Sequence, residues 1–156
     1  MAAANAAAEG GESFWMTWAV LLGFEMIWTV QDCARQKIYR ILLFSGILTG
    51  AGFAVYRAAT GQDTVFAWAA SLLPGALLLA YGFMTEGKLG KADGYMVLAL
   101  GLFLGWEICT AILAAACLLA ALYAGIGLAL KKLTRSSRIS FAPFLLLGTL
   151  AVRILM

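Results

Sequence analysis

The sequence predicts an all-α, polytopic membrane protein with six transmembrane helices and both termini outside. Three observations carry that expectation. Hydrophobic residues make up 63% of the chain and charged residues only 12%, about half the ~25% charged residues of a typical soluble domain. That is too little charge to clothe a water-facing surface, and the mean hydropathy is +0.92. The apolar residues fall in continuous Leu- and Ala-rich runs on the scale of the ~20 residues that span a bilayer as helix. They do not alternate with polar residues as barrel strands do. Finally, lysine and arginine collect in alternate connections between the runs, as cytoplasmic loops do.

Residues 1–13 (MAAANAAAEGGES) are Ala- and Gly-rich and mildly acidic, without the basic stretch that opens a signal peptide, and read as a flexible tail. The membrane-embedded domain is 14–156. Its first helix covers about 14–31, the second about 40–57 and the third about 64–84, kinked at Pro74. The apolar stretch 94–130 is far too long for one ~30 Å crossing at 1.5 Å per residue. Its polar punctuation is Gly105-Trp106-Glu107, so it divides there into a short fourth helix, about 94–105, and a fifth, about 107–130. The fourth is below spanning length and is expected to lie nearly upright or to end inside the bundle. The sixth helix covers about 141–156. Gly46, Gly50 and Gly52 on the second helix would allow close helix contact.

Charge tests this division. Arg35, Lys37 and Arg40 follow the first helix; Lys88 and Lys91 follow the third; Lys131, Lys132, Arg135 and Arg138 follow the fifth. With six spans, nine of the eleven basic residues share the cytoplasmic side, and only Arg57 and Arg153 oppose them. Leaving 94–130 undivided would put the run Lys131–Arg138 on the wrong side. The same arrangement puts Trp15, Trp18, Tyr56 and Trp106 near the outer interface and Trp28, Tyr39 and Tyr95 near the inner one, where aromatic belts are expected.

The chain contains no histidine. This excludes Ser-His-Asp and Cys-His catalysis, HExxH zinc sites and every His-ligated metal. Cys33, Cys109 and Cys117 form no CxxC pair and fit no zinc spacing, so they read as small apolar packers. No cofactor or metal is expected, and a net charge of +3 is too small to suggest nucleic acid. Carboxylate, thiol and amine chemistry remain. Asp32 ends the first helix and Asp93 begins the fourth, on the same side of the membrane. Packed together they could share a proton, because two carboxylates about 3 Å apart cannot both ionise. One would then act as base on a water while the other polarises a peptide carbonyl. The alternative is structural: Asp93 as a helix N-cap and Asp32 as a solvated helix end.

Four residues could support such a site. Glu25 lies seven residues before Asp32 on the same face of the first helix. A carboxyl inside a span costs about 2.5–3.5 kcal/mol on insertion scales, so it either tunes the site or is a protonated, hydrogen-bonded packing group. Glu86 could meet a basic substrate or be a solvated loop charge. Gly90 and Lys91 stand beside Asp93, where Lys91 could lower the Asp93 pKa or serve only the charge bias. The run KKLTRSSR reads as a topology signal touching anionic lipid, and Asp63 as the cap region of the third helix.

Three segments resemble the type IV prepilin peptidases. After Asp32 the chain reads DCARQKIYRILLFSGIL, similar to that family's aspartate, basic stretch, isoleucine and apolar helix. GKLGKADGYMVLALGLFLGW is similar to its GxGD segment and the helix behind it. ISFAPFLLLGTLA resembles its closing helix. The resemblance implies a membrane aspartic peptidase that removes the basic leader from prepilin-like proteins at the cytoplasmic face of a prokaryotic cell membrane. Asp32 and Asp93 correspond to the catalytic pair and Gly90 to the first glycine of GxGD. The departures are Ala92 for the second glycine, Ile38-Tyr39-Arg40 for Ile-Pro-Asn, and the absence of a region with two CxxC pairs linked to N-methylation. The expectation is therefore a peptidase core. The competing reading from another class is a small transporter or assembly subunit without catalysis, with Asp32 and Asp93 as interfacial caps.

Overall fold

A computed structural model describes residues 2–35, 38–61, 65–84, 90–131 and 140–155. Among them the regular structure is all helix: α1 Ala2–Arg35, α2 Arg40–Ala59, α3 Val65–Ser71, α4 Leu73–Met84, α5 Lys91–Leu104, α6 Trp106–Ala129 and α7 Ala142–Leu155. α1 continues back through the Ala-rich segment that the sequence set apart as a tail, in keeping with alanine's helix preference. α3 and α4 are the two halves of the expected third helix. They part at Leu72, two residues before Pro74, whose ring cannot sit beside the carbonyl one turn back.

The break at Gly105 falls where the sequence puts it. Gly105 has φ 82, a left-handed conformation that only glycine adopts without strain, and its N–H donates to the Gly101 carbonyl at 2.8 Å. One residue thus ends α5 and caps the start of α6. α5 is the axis of the molecule. It packs on α2, α4 and α6, and Gly94, Met96, Val97, Ala99, Leu100, Gly101, Leu102 and Phe103 are all buried. Its 14 residues measure about 21 Å, so the short fourth helix is an enclosed one.

Small residues bring the helices together. A Cβ on Gly75 of α4 would lie 2.5 Å from the backbone N and Cα of Leu98, and one on Gly50 would lie 3.1 Å from Leu102 Cβ. Gly46 accommodates the Trp28 ring, whereas nothing approaches Gly52 within 4 Å. The contact expected of Gly46 and Gly50 is therefore present, and that expected of Gly52 is not. Trp18 and Trp28 also depart from expectation: both are buried in the core with Leu21, Phe103 and Leu145. Trp15, Tyr39, Tyr56 and Trp106 are exposed, and Tyr95 is half-buried. A sequence window places a tryptophan at a depth but not on a face, and these two face inward.

The surface is apolar and the interior holds polar groups. Ile41, Leu48, Phe66, Met84 and Leu155 are each at least three-quarters exposed, while Glu25, Ser71 and Thr149 are buried. Exposed apolar side chains in such number are what a lipid solvent tolerates. Two described helices, Arg40–Ala59 and Trp106–Ala129, are long and apolar enough to cross a membrane, and Ala69–Met84 and Ala142–Leu155 are shorter apolar helices.

The two basic residues that oppose the charge bias both have structural partners. The Arg57 guanidinium donates to the carbonyls of Phe103 and Leu102, at the C-terminal end of α5 where a cation is favoured. The Arg153 guanidinium lies 4.3 Å from the Trp15 ring centre and 5.2 Å from that of Trp18, tying α7 to α1. Of the cysteines, Cys109 is buried as expected, its Sγ 3.7 Å from the Val97 carbonyl, whereas Cys33 and Cys117 are exposed.

Candidate active site

Asp32 lies in the last turn of α1 and Asp93 in the first turn of α5. The two come from distant parts of the chain, yet the fold sets them within electrostatic reach. Asp93 precedes the apolar span 94–105, and its carboxyl is pushed up from the ordinary 3.8 to about 7. The larger cause is burial, which disfavours the charged form, and the second is the charge of Asp32. The expectation that Lys91 would lower this pKa is not met. The Lys91 ammonium sits 4.5 Å from the centre of the Phe83 ring, on α4.

The local structure around Asp93 explains one glycine and dispenses with another. Gly90 is the N-cap of α5, with φ −64 and ψ 121, a conformation any residue adopts. Asp93 is the third helical residue rather than the cap, and its N–H donates to the Gly90 carbonyl at 3.0 Å. Its carboxyl folds back over Gly90, so that a Cβ there would lie 2.8 Å from Asp93 Oδ2. Glycine at 90 thus leaves room for the Asp93 carboxyl, which a Cβ there would displace, and the backbone itself asks for no glycine. Ala92 is an ordinary helical residue whose side chain packs against the core, and the backbone makes no demand for glycine there.

Asp32 is held by α7, a contact the sequence did not reveal. The Ala142 N–H, at the first residue of α7, donates to Asp32 Oδ2 across a long 3.4 Å, and the Ser140 hydroxyl donates to the Asp32 carbonyl at 3.3 Å. The first N–H groups of a helix have no partner within it, and Pro143 contributes none. A carboxylate placed there is favoured by the helix dipole as well. The nearest sequence signal is Ser140-Phe141-Ala142-Pro143, a helix-start pattern, but nothing in it names Asp32 as the partner. On the other side of Asp32 the Gln31 side chain accepts the N–H of Tyr39 at 3.2 Å. Tyr39, with φ −65 and ψ 129, is the N-cap of α2, and that helix starts at Arg40 with no proline in its first turn.

Glu25 lies two turns above Asp32 and is 2% exposed. Its Oε1 lies 2.7 Å from the Thr149 hydroxyl oxygen of α7, which in turn lies 3.0 Å from the Leu145 carbonyl oxygen. Glu86, Lys88 and Asp63 lie outside the described residues, as do Lys37, Lys132, Arg135 and Arg138. No group of three or more metal-ligating side chains occurs among the described residues.

The pair of carboxyls in one neighbourhood therefore sits at the start of α5 and the end of α1, both within the part of the chain that carries a family signature. The profile of the type IV leader peptidase family matches residues 19–125, more than half of the sequence. The chain belongs to the type IV leader peptidase family. The match covers Asp32, the start of α2, and the Gly90–Asp93 turn, and it ends before α7. No curated protein and no solved structure is similar enough to the chain to be matched with it.

Proposed function

We propose that the protein is a membrane aspartic endopeptidase that cuts the basic leader from prepilin-like precursors at the cytoplasmic face, with Asp32 and Asp93 as the catalytic pair. The observation that carries this reading is the raised pKa of Asp93, partly due to the charge of Asp32, in a chain that belongs to a leader peptidase family. A carboxyl pair sharing one proton can hydrolyse a peptide bond without histidine or metal.

The surroundings of the two groups support distinct roles. Asp32 meets the N-terminus of α7, which favours a negative charge. Asp93 is poised near neutrality to hold the proton. The Asp32 carboxylate then removes a proton from water as the water oxygen attacks the scissile carbonyl carbon. Asp93 gives its proton to the carbonyl oxygen. Breakdown returns the Asp32 proton to the leaving nitrogen and one hydroxyl proton to Asp93, the C–N bond breaks, and the pair regains its starting state. The chain would act from a prokaryotic cell membrane, in pilus assembly or protein secretion, with six spans and both termini outside. The charge bias of the connections supports that topology, and α3 and α4 form one bent span in it.

The test is cleavage of a co-expressed prepilin-like precursor by the wild type, Asp32→Asn and Asp93→Asn at equal expression. Cleavage by the wild type and by neither variant is the expected result. Cleavage surviving in either variant would remove that aspartate from the mechanism.

A further inference from the structure

α1 and α7 run antiparallel and meet at two polar rungs. One is Asp32 with Ala142; the other is Glu25 with Thr149. On each helix the rungs are seven residues apart, about two turns and about 10.5 Å, so both lie on one face of each helix. Their spacing matches, and the rung inside the bundle fixes how far α7 is advanced along α1. The outer rung needs that register, because a slip of one residue moves the Ala142 N–H by about 1.5 Å, and its 3.4 Å hydrogen bond has no length to spare.

Apolar helix faces slide against one another with little preference, whereas a single buried polar pair selects one register. The hydrogen-bond inventory shows how this pair is made. The Thr149 hydroxyl has one hydrogen, yet it lies within bonding distance of two acceptor positions, the Leu145 carbonyl and Glu25 Oε1. Both bonds form together when Glu25 carries a proton on Oε1 and donates it to the Thr149 oxygen, while Thr149 donates to Leu145. A glutamine amide can donate in the same way.

We infer that Glu25 and Thr149 form a register clasp between α1 and α7 that positions Asp32 for catalysis. The inference rests on the peptidase reading for its kinetic consequence but not for its structural one. Glu25 is a positioning residue, one rung removed from the reacting atoms, and it acts as a hydrogen-bond donor rather than as a proton donor to substrate.

The experiment compares Glu25→Gln, Glu25→Leu, Thr149→Val and Thr149→Ser with the wild type in two measurements. The first is the kinetics of leader cleavage. Glu25→Leu and Thr149→Val are expected to lose kcat by about 10-fold or more, as a displaced catalytic group would, with KM unchanged. Glu25→Gln and Thr149→Ser are expected to keep it. The second is dipolar broadening between spin labels at Cys33 and at Ser140→Cys, in a Cys117→Ala background, which reports whether the start of α7 still meets the end of α1. Narrowed spectra in Glu25→Leu and Thr149→Val, and not in the two conservative variants, are expected. Full kcat in Glu25→Leu would overturn the inference, as would unchanged broadening there. Equal loss of kcat in Glu25→Gln with broadening retained would also overturn it, by making the acid chemical. Should the wild type cleave no precursor, the peptidase reading fails while the spin-label measurement still decides the clasp.

Discussion

Replacing Gly90 by alanine separates space from backbone freedom at the start of α5. The conformation at Gly90, φ −64 and ψ 121, suits alanine, so the substitution carries only the loss of a better N-cap residue, about 1 kcal/mol at most. The new Cβ, however, would stand 2.8 Å from Asp93 Oδ2, against the 3.4 Å where ordinary contact begins. The carboxyl must retreat by the difference, 0.6 Å. Misplacing a reacting group by 1 Å costs about 100-fold in rate, so 0.6 Å corresponds to about 16-fold, or about 1.6 kcal/mol of activation free energy. The assay is leader cleavage by purified protein, with thermal unfolding measured in the same detergent. Gly90→Ala should lose about 10- to 20-fold in kcat while its unfolding midpoint moves little. Full kcat in a folded Gly90→Ala protein would refute the placement of Asp93 over Gly90 as the reason for the glycine.

Cleavage should fall as pH rises through about 7, where Asp93 loses its proton, and a pH–rate profile for kcat checks this. Because the folded pKa of Asp93 is raised above its ordinary 3.8, the folded state binds the extra proton between about 4 and 7, and Asp93 lowers stability increasingly across that window. Asp93→Asn should therefore unfold later than the wild type at pH 8 and nearly together with it at pH 4. The ceiling is about 4 kcal/mol at 1.36 kcal/mol per pH unit, and partial exposure of the carboxyl reduces it. In α4, Gly75→Ala should destabilise by about 1–3 kcal/mol or prevent folding, since its Cβ would strike the Leu98 backbone. Gly52→Ala, which meets nothing within 4 Å, should be neutral within about 0.5 kcal/mol. Thermal unfolding of the two proteins decides between them.

The order of the helices along the chain was legible in the sequence; direction around each helix was not. The division at Gly105, the bend at Pro74 and the shared end of Asp32 and Asp93 follow from span lengths, breaker residues and the charge of the connections. Trp18 and Trp28 were assigned to the interface because a run of apolar residues does not say which side faces lipid when both sides are apolar. The same ambiguity hid the difference between Gly50 and Gly52, two residues apart on one helix. At the site, the aspartates themselves stood out as scarce charges. The N-terminus of α7 did not, because its contribution to Asp32 is a backbone N–H, which every residue but proline carries. Glu25 was visible as a charge inside a span, but its partner Thr149 is an unremarkable residue in an apolar run and emerges only when α7 is set against α1.

The shortness of α5 has a consequence for the membrane around the protein. A helix of about 21 Å is about 9 Å short of a ~30 Å hydrocarbon layer, and Arg57 closes its far end with a guanidinium. In the proposed six-span topology, with Asp93 at the cytoplasmic interface, that deficit would fall wholly on the outer leaflet. Because α5 is enclosed, lipid would meet that deficit only through the helices around Gly105 and Arg57, by thinning or by sinking head groups at a fraction of a kcal/mol per Å. Under that topology bilayer thickness would bear on the same helix that carries Asp93, and acyl-chain length would become a variable of the proposed carboxyl pair.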